Sequence, residues 1–286
     1  MLWFAVLAIP GLLAGAPAVV APPSWEQIYQ SPGPKEGVSS VLALGPDDWF
    51  AGGVGWLAHG TSKGVERTPT GPRDVLRLSG AAPNDVFAFG TGELVMRFDG
   101  QKWNEEHVGP TPKREEPGAD ILNRSFRDAE SNLVAFGPTL LLVRKADRTW
   151  EMPRPADGKR LLDYAESGPP FALPAKCVRA GWFWLGRDRA MFNCRDGRSF
   201  IFDDGKVTPK GELPRDCMRA LTDVTWGQGE LFASCGRGLL WKTEGEGWRF
   251  YAALTAKGVK EVVSISVTDR CVFAAGSRTI WRSCAP

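Results

Sequence analysis

The stretch from Asp85 to Trp103 decides the fold, and it reads DVFAFGTGELVMRFDGQKW. A similar stretch, ELFASCGRGLLWKTEGEGW, runs from Glu230 to Trp248. In each, a short apolar strand is followed by a Gly-containing turn, a second strand, a polar turn and a Trp. A basic residue, Arg97 or Lys242, stands six positions before that Trp. Such internal similarity is typical of a repeat architecture in which each unit is one small sheet.

Three further units follow the same plan. NLVAFGPTLLLVRKADRTW covers residues 132–150, DWFAGGVGWLAHGTSKGV covers residues 48–65, and AMFNCRDGRSFIFDDGKV covers residues 190–207. An apolar segment precedes every unit, so each is predicted to hold four antiparallel strands in about forty residues, as in a propeller blade.

The two ends of the chain together form a sixth unit. VVSISVTDRCVFAAGSRTIWRSCAP, residues 262–286, supplies three strands and then stops. SWEQIYQ, residues 24–30, is similar to the fourth strands of other units. The sequence therefore predicts an all-β, six-bladed β-propeller with four antiparallel strands per blade, whose N-terminal strand closes the last blade and removes the exposed sheet edges.

The DVFAFG and RFDG phrases with their Trp resemble the blades of propellers common in secreted bacterial proteins. They are WD40- and BNR-like, and similar to photosystem-II-assembly-factor-like propellers. The resemblance covers nearly the whole chain after its leader, and its motifs specify a blade but no active-site residues. It implies binding or assembly roles more often than catalysis, although a fold does not settle a function.

The first 21 residues are predicted to be a signal peptide. No charge occurs before Glu26, and Ala16-Pro17-Ala18 matches the small-x-small pattern of a cleavage site. An uncleaved membrane anchor is the alternative, because the apolar stretch is just long enough to span a bilayer. We therefore expect a secreted, periplasmic or cell-envelope protein with a single propeller domain over residues 22–286.

The blade plan selects one pairing for the six cysteines. In an antiparallel pair, facing residues are equidistant from the turn. The midpoints of three Cys pairs fall at or beside turns, which predicts three disulfides, each between neighbouring strands of one blade. The pairs are Cys177 with Cys194, Cys217 with Cys235, and Cys271 with Cys284. Zinc binding is disfavoured because the chain has no C-x-x-C spacing and only two His.

Composition limits the classes of partner. A net charge of +2, from 35 basic and 33 acidic residues, argues against nucleic-acid binding, which needs a clear basic excess or cluster. No motif indicates a cofactor or a metal. We expect a monomer that binds a protein or glycan partner and has no membrane contact beyond the leader.

One candidate ligand site comes from the first strands, which should line the central channel. Side chains suited to binding an anion are aligned in four of them: Arg77, Asn123, Arg179 and Arg219. Guanidiniums facing one channel repel one another unless an anion neutralises them, so we hypothesise an anion site at the channel mouth. Tyr164, in the long connection over residues 151–176, is expected to help this segment cover the mouth or meet a partner; the alternative is that the segment is only a linker between blades. The alternative is that each Arg pairs with a nearby acid such as Asp74 or Asp216.

No catalytic residue is assigned from the sequence. Residues 60–64 match the G-x-S-x-G pattern, but they align with a turn between two strands rather than with a strand-to-helix elbow. The leading function is an exported, non-catalytic binding module that presents its inter-blade loops and channel mouth. The alternative is a carbohydrate-active hydrolase, a glycosidase or sialidase-like enzyme, using loop carboxylates from the segments around Glu115, Asp120 and Asp163.

Overall fold

A computed structural model describes residues 24–106, 108, 121–127, 132–137, 141–151, 177, 179–186, 189–203 and 206–285. Within these ranges it does not cover the side chains of residues 126–127, 179–182, 184 and 186. The described residues form six four-stranded antiparallel sheets. The predicted six-bladed propeller is confirmed.

The strands follow the chain from the inner to the outer strand of each blade. Blades 1 and 2 consist of β2 (Val38–Gly45), β3 (Asp48–Gly53), β4 (Trp56–Thr61), β5 (Gly64–Pro69), β6 (Val75–Gly80), β7 (Val86–Gly90), β8 (Val95–Phe98) and β9 (Trp103–Glu105). Blades 3 and 4 consist of β10 (Arg124–Arg127), β11 (Leu133–Phe136), β12 (Leu141–Arg144), β13 (Trp150–Glu151), β14 (Arg179–Gly186), β15 (Arg189–Cys194), β16 (Arg198–Asp203) and β17 (Lys206–Glu212). Blades 5 and 6 consist of β18 (Leu221–Gly227), β19 (Glu230–Cys235), β20 (Leu239–Glu244), β21 (Gly247–Ala253), β22 (Ser264–Val267), β23 (Cys271–Gly276), β24 (Thr279–Cys284) and β1 (Glu26–Gln30). A short helix, α1 (Arg215–Arg219), and a 3-10 turn, Thr255–Lys257, precede blades 5 and 6.

The inner strands form a ring around a central channel. β2 contacts β6 and β22, β10 contacts β6 and β14, and β18 contacts β14 and β22. This order places the inner strands of blades 2 and 5 on opposite sides of the channel. All six inner strands begin at the same end of the channel, which we call the mouth.

The N-terminal strand closes the ring as predicted. β1 pairs antiparallel with β24, with Glu26 opposite Arg282 and Gln30 opposite Thr279. The Tyr29 ring lies 5.9 Å from that of Trp49 and 5.5 Å from that of Trp56, both in blade 1. The first strand of the propeller thus joins blade 6 to blade 1, so blade 6 has no open outer edge on β24.

The hydrophobic core lies between blades, which explains the repeated Trp. The Trp103 ring of blade 2 packs edge-on against Phe50 of blade 1, with ring centroids 5.8 Å apart. Trp150 of blade 3 meets Phe87 and Phe89 of blade 2 in the same way, at 6.2 Å. Both faces of each second strand are covered by neighbouring blades, so β7 is buried throughout its length.

The polar turn before Trp103 is held by one carboxylate. Asp99 accepts hydrogen bonds from the backbone amides of Gln101 (2.9 Å) and Lys102 (3.0 Å) and from the Asn104 side chain (2.8 Å). These donors, the Lys102 amide foremost, lower the pKa of Asp99 to about 2. The Asp of the repeated turn therefore has a structural role.

The three predicted disulfides are confirmed: Cys177–Cys194, Cys217–Cys235 and Cys271–Cys284. The prediction that each joins neighbouring strands is correct only for the last, which links β23 to β24. Cys177 lies just before β14 and Cys217 lies in α1, so those two disulfides fix the approach to an inner strand. Loops of 17, 18 and 13 residues correspond to roughly 3 kcal/mol each in the chain-entropy model.

Candidate functional site

The channel mouth is lined by equivalent residues near the start of each inner strand, which we call the ring position. Each ring-position residue pairs with the matching residue of its second strand: Ser40 with Gly52, Arg77 with Phe89, Arg124 with Phe136, Gly181 with Asn193, Asp223 with Ser234, and Ser264 with Ala275. Four of these pairings directly follow a register shift in the inner strand. The ring positions therefore cannot be found by aligning the segments that precede the strands.

The expectation that Arg77, Arg179 and Arg219 share one position is wrong. Arg179 pairs with Cys194, ahead of the register shift, and its side chain lies outside the described part of the structure. Arg219 ends the helix α1 and is exposed. Asn123 immediately precedes the ring position of blade 3, which is occupied by Arg124. Tyr164 falls outside the described residues.

Three ring-position side chains join neighbouring inner strands. The Leu78 amide donates to Ser40 Oγ (3.1 Å), the Val41 amide to Ser264 Oγ (3.3 Å), and the Ile265 amide to Asp223 Oδ2 (3.0 Å). In every case the donor follows the ring position of the next blade. An inner strand is the edge of its sheet, so its channel-side N–H groups need an acceptor from outside that sheet. Ser and Asp supply that acceptor.

Asp223 accepts more hydrogen bonds than Ser40 or Ser264, and only 6% of its side chain is exposed. Its Oδ1 accepts from Arg77 Nη1 (3.2 Å) and from the Val224 amide (3.0 Å). Its Oδ2 accepts from Ser264 Oγ (3.2 Å) and the Ile265 amide. Since Arg77 belongs to blade 2 and Asp223 to blade 5, this ion pair crosses the channel.

Blades 2, 3 and 4 interrupt the pattern. The ring positions of blades 2 and 3 hold Arg77 and Arg124, and a guanidinium has donors but no acceptor. That of blade 4 holds Gly181, which has no side-chain acceptor. Ser125 follows the ring position of blade 3 as Leu78 follows that of blade 2, so their amides are equivalent. The side chain in the acceptor position for the Ser125 amide is that of Arg77. The side-chain acceptor that joins blades 5 and 6, 6 and 1, and 1 and 2 is therefore missing between blades 2 and 3.

A cavity of about 130 Å³ opens at this interruption. Its lining comes from the inner strands of blades 2 to 5 and from one second strand: Arg77, Asn123, Arg124, Ser125, Phe136, Phe183, Thr222, Asp223 and Val224. Asn123 and Arg124 are exposed, whereas Phe136 is buried in the wall. Ser125 Oγ is buried and has no hydrogen-bond partner in the described part of the chain. The described lining holds two guanidiniums and one carboxylate, so it has a net positive charge.

Sequence analysis did not identify Arg124 and Asp223 as channel residues, although their spacing from the second strand could have done so. The ring position stands eleven or twelve residues before its partner on the second strand. Counting back from the second strands, whose apolar pattern repeats from blade to blade, finds both residues. His59 lies away from the channel, where its Nε2 is 2.8 Å from Asp48 Oδ1 and its ring stacks on Phe50.

Among the residues that the structure describes, no helix has the length and apolar character needed to cross a membrane.

No protein-family model matches the chain, and no curated protein does. Solved propellers do. YCF48 bound to D1 peptide is 14% identical, with a TM-score of 0.55, covering 92% of this chain and 97% of that one. YCF48 from Cyanidioschyzon merolae is 11% identical, with a TM-score of 0.52 and coverage of 92% and 98%. The WD40 β-propeller domain of Doa1 is 10% identical, with a TM-score of 0.52 and coverage of 91% and 97%. The expected likeness to photosystem-II-assembly-factor and WD40 propellers is thus confirmed at the level of the fold.

Proposed function

We propose that this chain is an exported, non-catalytic binding module that receives a segment of a protein partner at the mouth of its channel. The observation that carries the proposal is the cavity at the interruption between blades 2 and 3. It combines exposed donors from Asn123 and Arg124 with the apolar faces of Phe136 and Phe183. A few polar groups set against aromatic walls are typical of a binding pocket.

The described part of the lining holds a single carboxylate, which supports binding over hydrolysis. A glycosidase needs two carboxyl groups on either side of the scissile bond. Asp223 is nearly buried and already accepts four hydrogen bonds. The loop acids Glu115, Asp120 and Asp163 lie outside the described residues.

Export and a protein partner each have separate support. Three disulfides are typical of proteins from an oxidising compartment. The fold likeness to YCF48, whose structure was solved bound to D1 peptide, supports a peptide as the ligand. A glycan at the same mouth is the competing occupant.

Selection from a random dodecapeptide display library tests the proposal. We expect enriched peptides, whose affinity for the protein is then measured by fluorescence anisotropy. Arg124→Glu should lower that affinity at least tenfold, because it reverses an exposed charge at the mouth without disturbing the core. Arg249→Glu, on the outer strand β21, is the matched control and should bind normally.

Three results would contradict the proposal. The first is a failure to enrich peptides while a glycan array gives signals that Arg124→Glu abolishes. The second is peptide binding that Arg124→Glu leaves unchanged. The third is release of nitrophenol from chromogenic glycosides at a rate that scales with protein concentration.

A further inference from the structure

We propose that the missing acceptor between blades 2 and 3 is supplied by the ligand, as a carboxylate held by Arg124 and Arg77. This inference rests on the proposed function only for placing a ligand at the mouth. The shared chemistry is a carboxylate, whether on an acidic residue or C-terminus of a peptide or on a small free acid.

The repeat itself indicates where the carboxylate binds. At three junctions, an oxygen at the ring position accepts from the amide of the next inner strand: Ser40, Ser264 and Asp223. At the junction of blades 2 and 3, the counterpart amide belongs to Ser125, and Arg77 offers it no oxygen. A ligand oxygen in the adjoining cavity would take the place that Ser or Asp takes elsewhere.

The charges around the cavity favour an anion there. Among the described residues, Arg77 forms an ion pair with Asp223 alone, and 30% of its side chain stays exposed. Arg124 forms no ion pair with any acid in the described part of the chain, and it is exposed at the rim. The planar guanidinium fork matches a carboxylate, and such charge-assisted bonds are stronger than neutral ones.

A second observation also points to a ligand. The Ser125 hydroxyl belongs to the cavity lining, is buried, and has no hydrogen-bond partner among the residues that the structure describes. Buried polar atoms are nearly always paired, so an orphaned donor facing a cavity indicates a missing partner. A carboxylate oxygen can accept from this hydroxyl and from a guanidinium at the same time.

The size of the cavity limits what enters it. Its volume of about 130 Å³ is close to that of an engineered cavity, roughly 150 Å³, that binds benzene. It is smaller than the pockets of about 300 Å³ or more that hold drug-sized ligands. A carboxylate with a short apolar stem against Phe136 and Phe183 fits, so a larger partner would insert one group and remain outside.

Calorimetric titration with benzoate, using neutral benzamide as control, tests the inference. We expect binding of benzoate and none of benzamide. Arg124→Ala should weaken benzoate binding at least tenfold, Arg124→Lys less, and Arg249→Ala not at all. Melting temperatures of all variants verify that each is folded.

Peptide arms then separate the sources of the carboxylate. A hexapeptide with a free C-terminus is compared with its C-terminal amide, and a capped hexapeptide with a central Glu is compared with its Gln version. Preference for the free C-terminus or for Glu identifies a peptide source. Binding of acetate and benzoate without either preference identifies a free acid.

The inference is overturned if no carboxylate binds, if benzamide binds as well as benzoate, or if Arg124→Ala leaves the affinity unchanged. Its failure differs from that of the proposed function. If display peptides need Arg124 for binding but benzoate does not displace them, the carboxylate inference is contradicted and the proposed function is not. Benzoate binding without any enriched peptide or Arg124-dependent partner would contradict the binding module alone.

Discussion

Deleting residues 24–30 is expected to remove about 5 kcal/mol from the free energy of unfolding. Trp25, Ile28 and Tyr29 are half-buried against blades 5, 6 and 1, and full burial of one such side chain stabilises by about 1.5–3 kcal/mol. The deletion also leaves β24 as an exposed edge. A loss of this size approaches the whole stability of many domains, so the variant should unfold at far lower urea concentrations.

Point variants separate this effect from a simple failure to fold. Tyr29→Ala should cost about 2 kcal/mol, because the ring packs between Trp49 and Trp56 but is only partly buried. Tyr29→Phe is the matched control and should change little, since the Tyr29 hydroxyl has no hydrogen-bond partner in the described structure. Unchanged urea midpoints for both the deletion and Tyr29→Ala would show that β1 does not close the ring.

Asp223→Ala should cost about 3 kcal/mol, and Arg77→Ala about 1 kcal/mol or less, although the two side chains form one ion pair. The buried carboxylate also accepts from the Ile265 amide and Ser264 Oγ, so its loss leaves buried donors without a partner. Arg77 is partly exposed, and Asp223 keeps its three other hydrogen-bond donors when the guanidinium is removed, so Arg77→Ala costs less.

Urea unfolding of the two single variants and the double variant measures this asymmetry. Asp223→Asn, which keeps the oxygen but loses the charge, should fall between wild type and Asp223→Ala. An Arg77→Ala cost as large as that of Asp223→Ala would mean that the cross-channel ion pair, rather than the join between inner strands, is what stabilises the mouth.

The fold could be predicted because its decisive features are local and repeated. Apolar second strands such as 86–90, turns with Gly or Asp, and a Trp after each turn give the same pattern in several units. The segment of residues 24–30 supplied the fourth strand that the last unit lacked. The cysteine pairs followed from the turns that lie midway between their members. Each of these predictions depends on the pattern of a short stretch of sequence, so it could be made without knowing the tertiary contacts.

The candidate site was harder to predict, because two similar phrases fold differently. PRDVLR, residues 72–77, enters β6, whereas PRDCMR, residues 214–219, forms helix α1. The two phrases share Pro, Asp and Arg and differ at their centres. The first has β-branched Val75, which favours a strand, whereas the second has Cys217, which is held by its disulfide to Cys235. The helix displaces Arg219 from the channel and lets Asp223 take the ring position. Register shifts also insert an extra residue just before the ring position of four inner strands, which the spacing of the sequence motifs does not reveal.

The central claim is that a ligand carboxylate accepts from the Ser125 amide, in the place that a ring-position oxygen takes at the three junctions closed by Ser40, Ser264 and Asp223. Amide hydrogen exchange, followed residue by residue by NMR, tests this most directly. In the free protein we predict that the amides of Val41, Leu78 and Ile265 exchange at least about tenfold more slowly than that of Ser125. Saturating benzoate should then slow exchange at Ser125. A Ser125 amide as protected as the other three in the free protein, and unaffected by benzoate, would contradict the account.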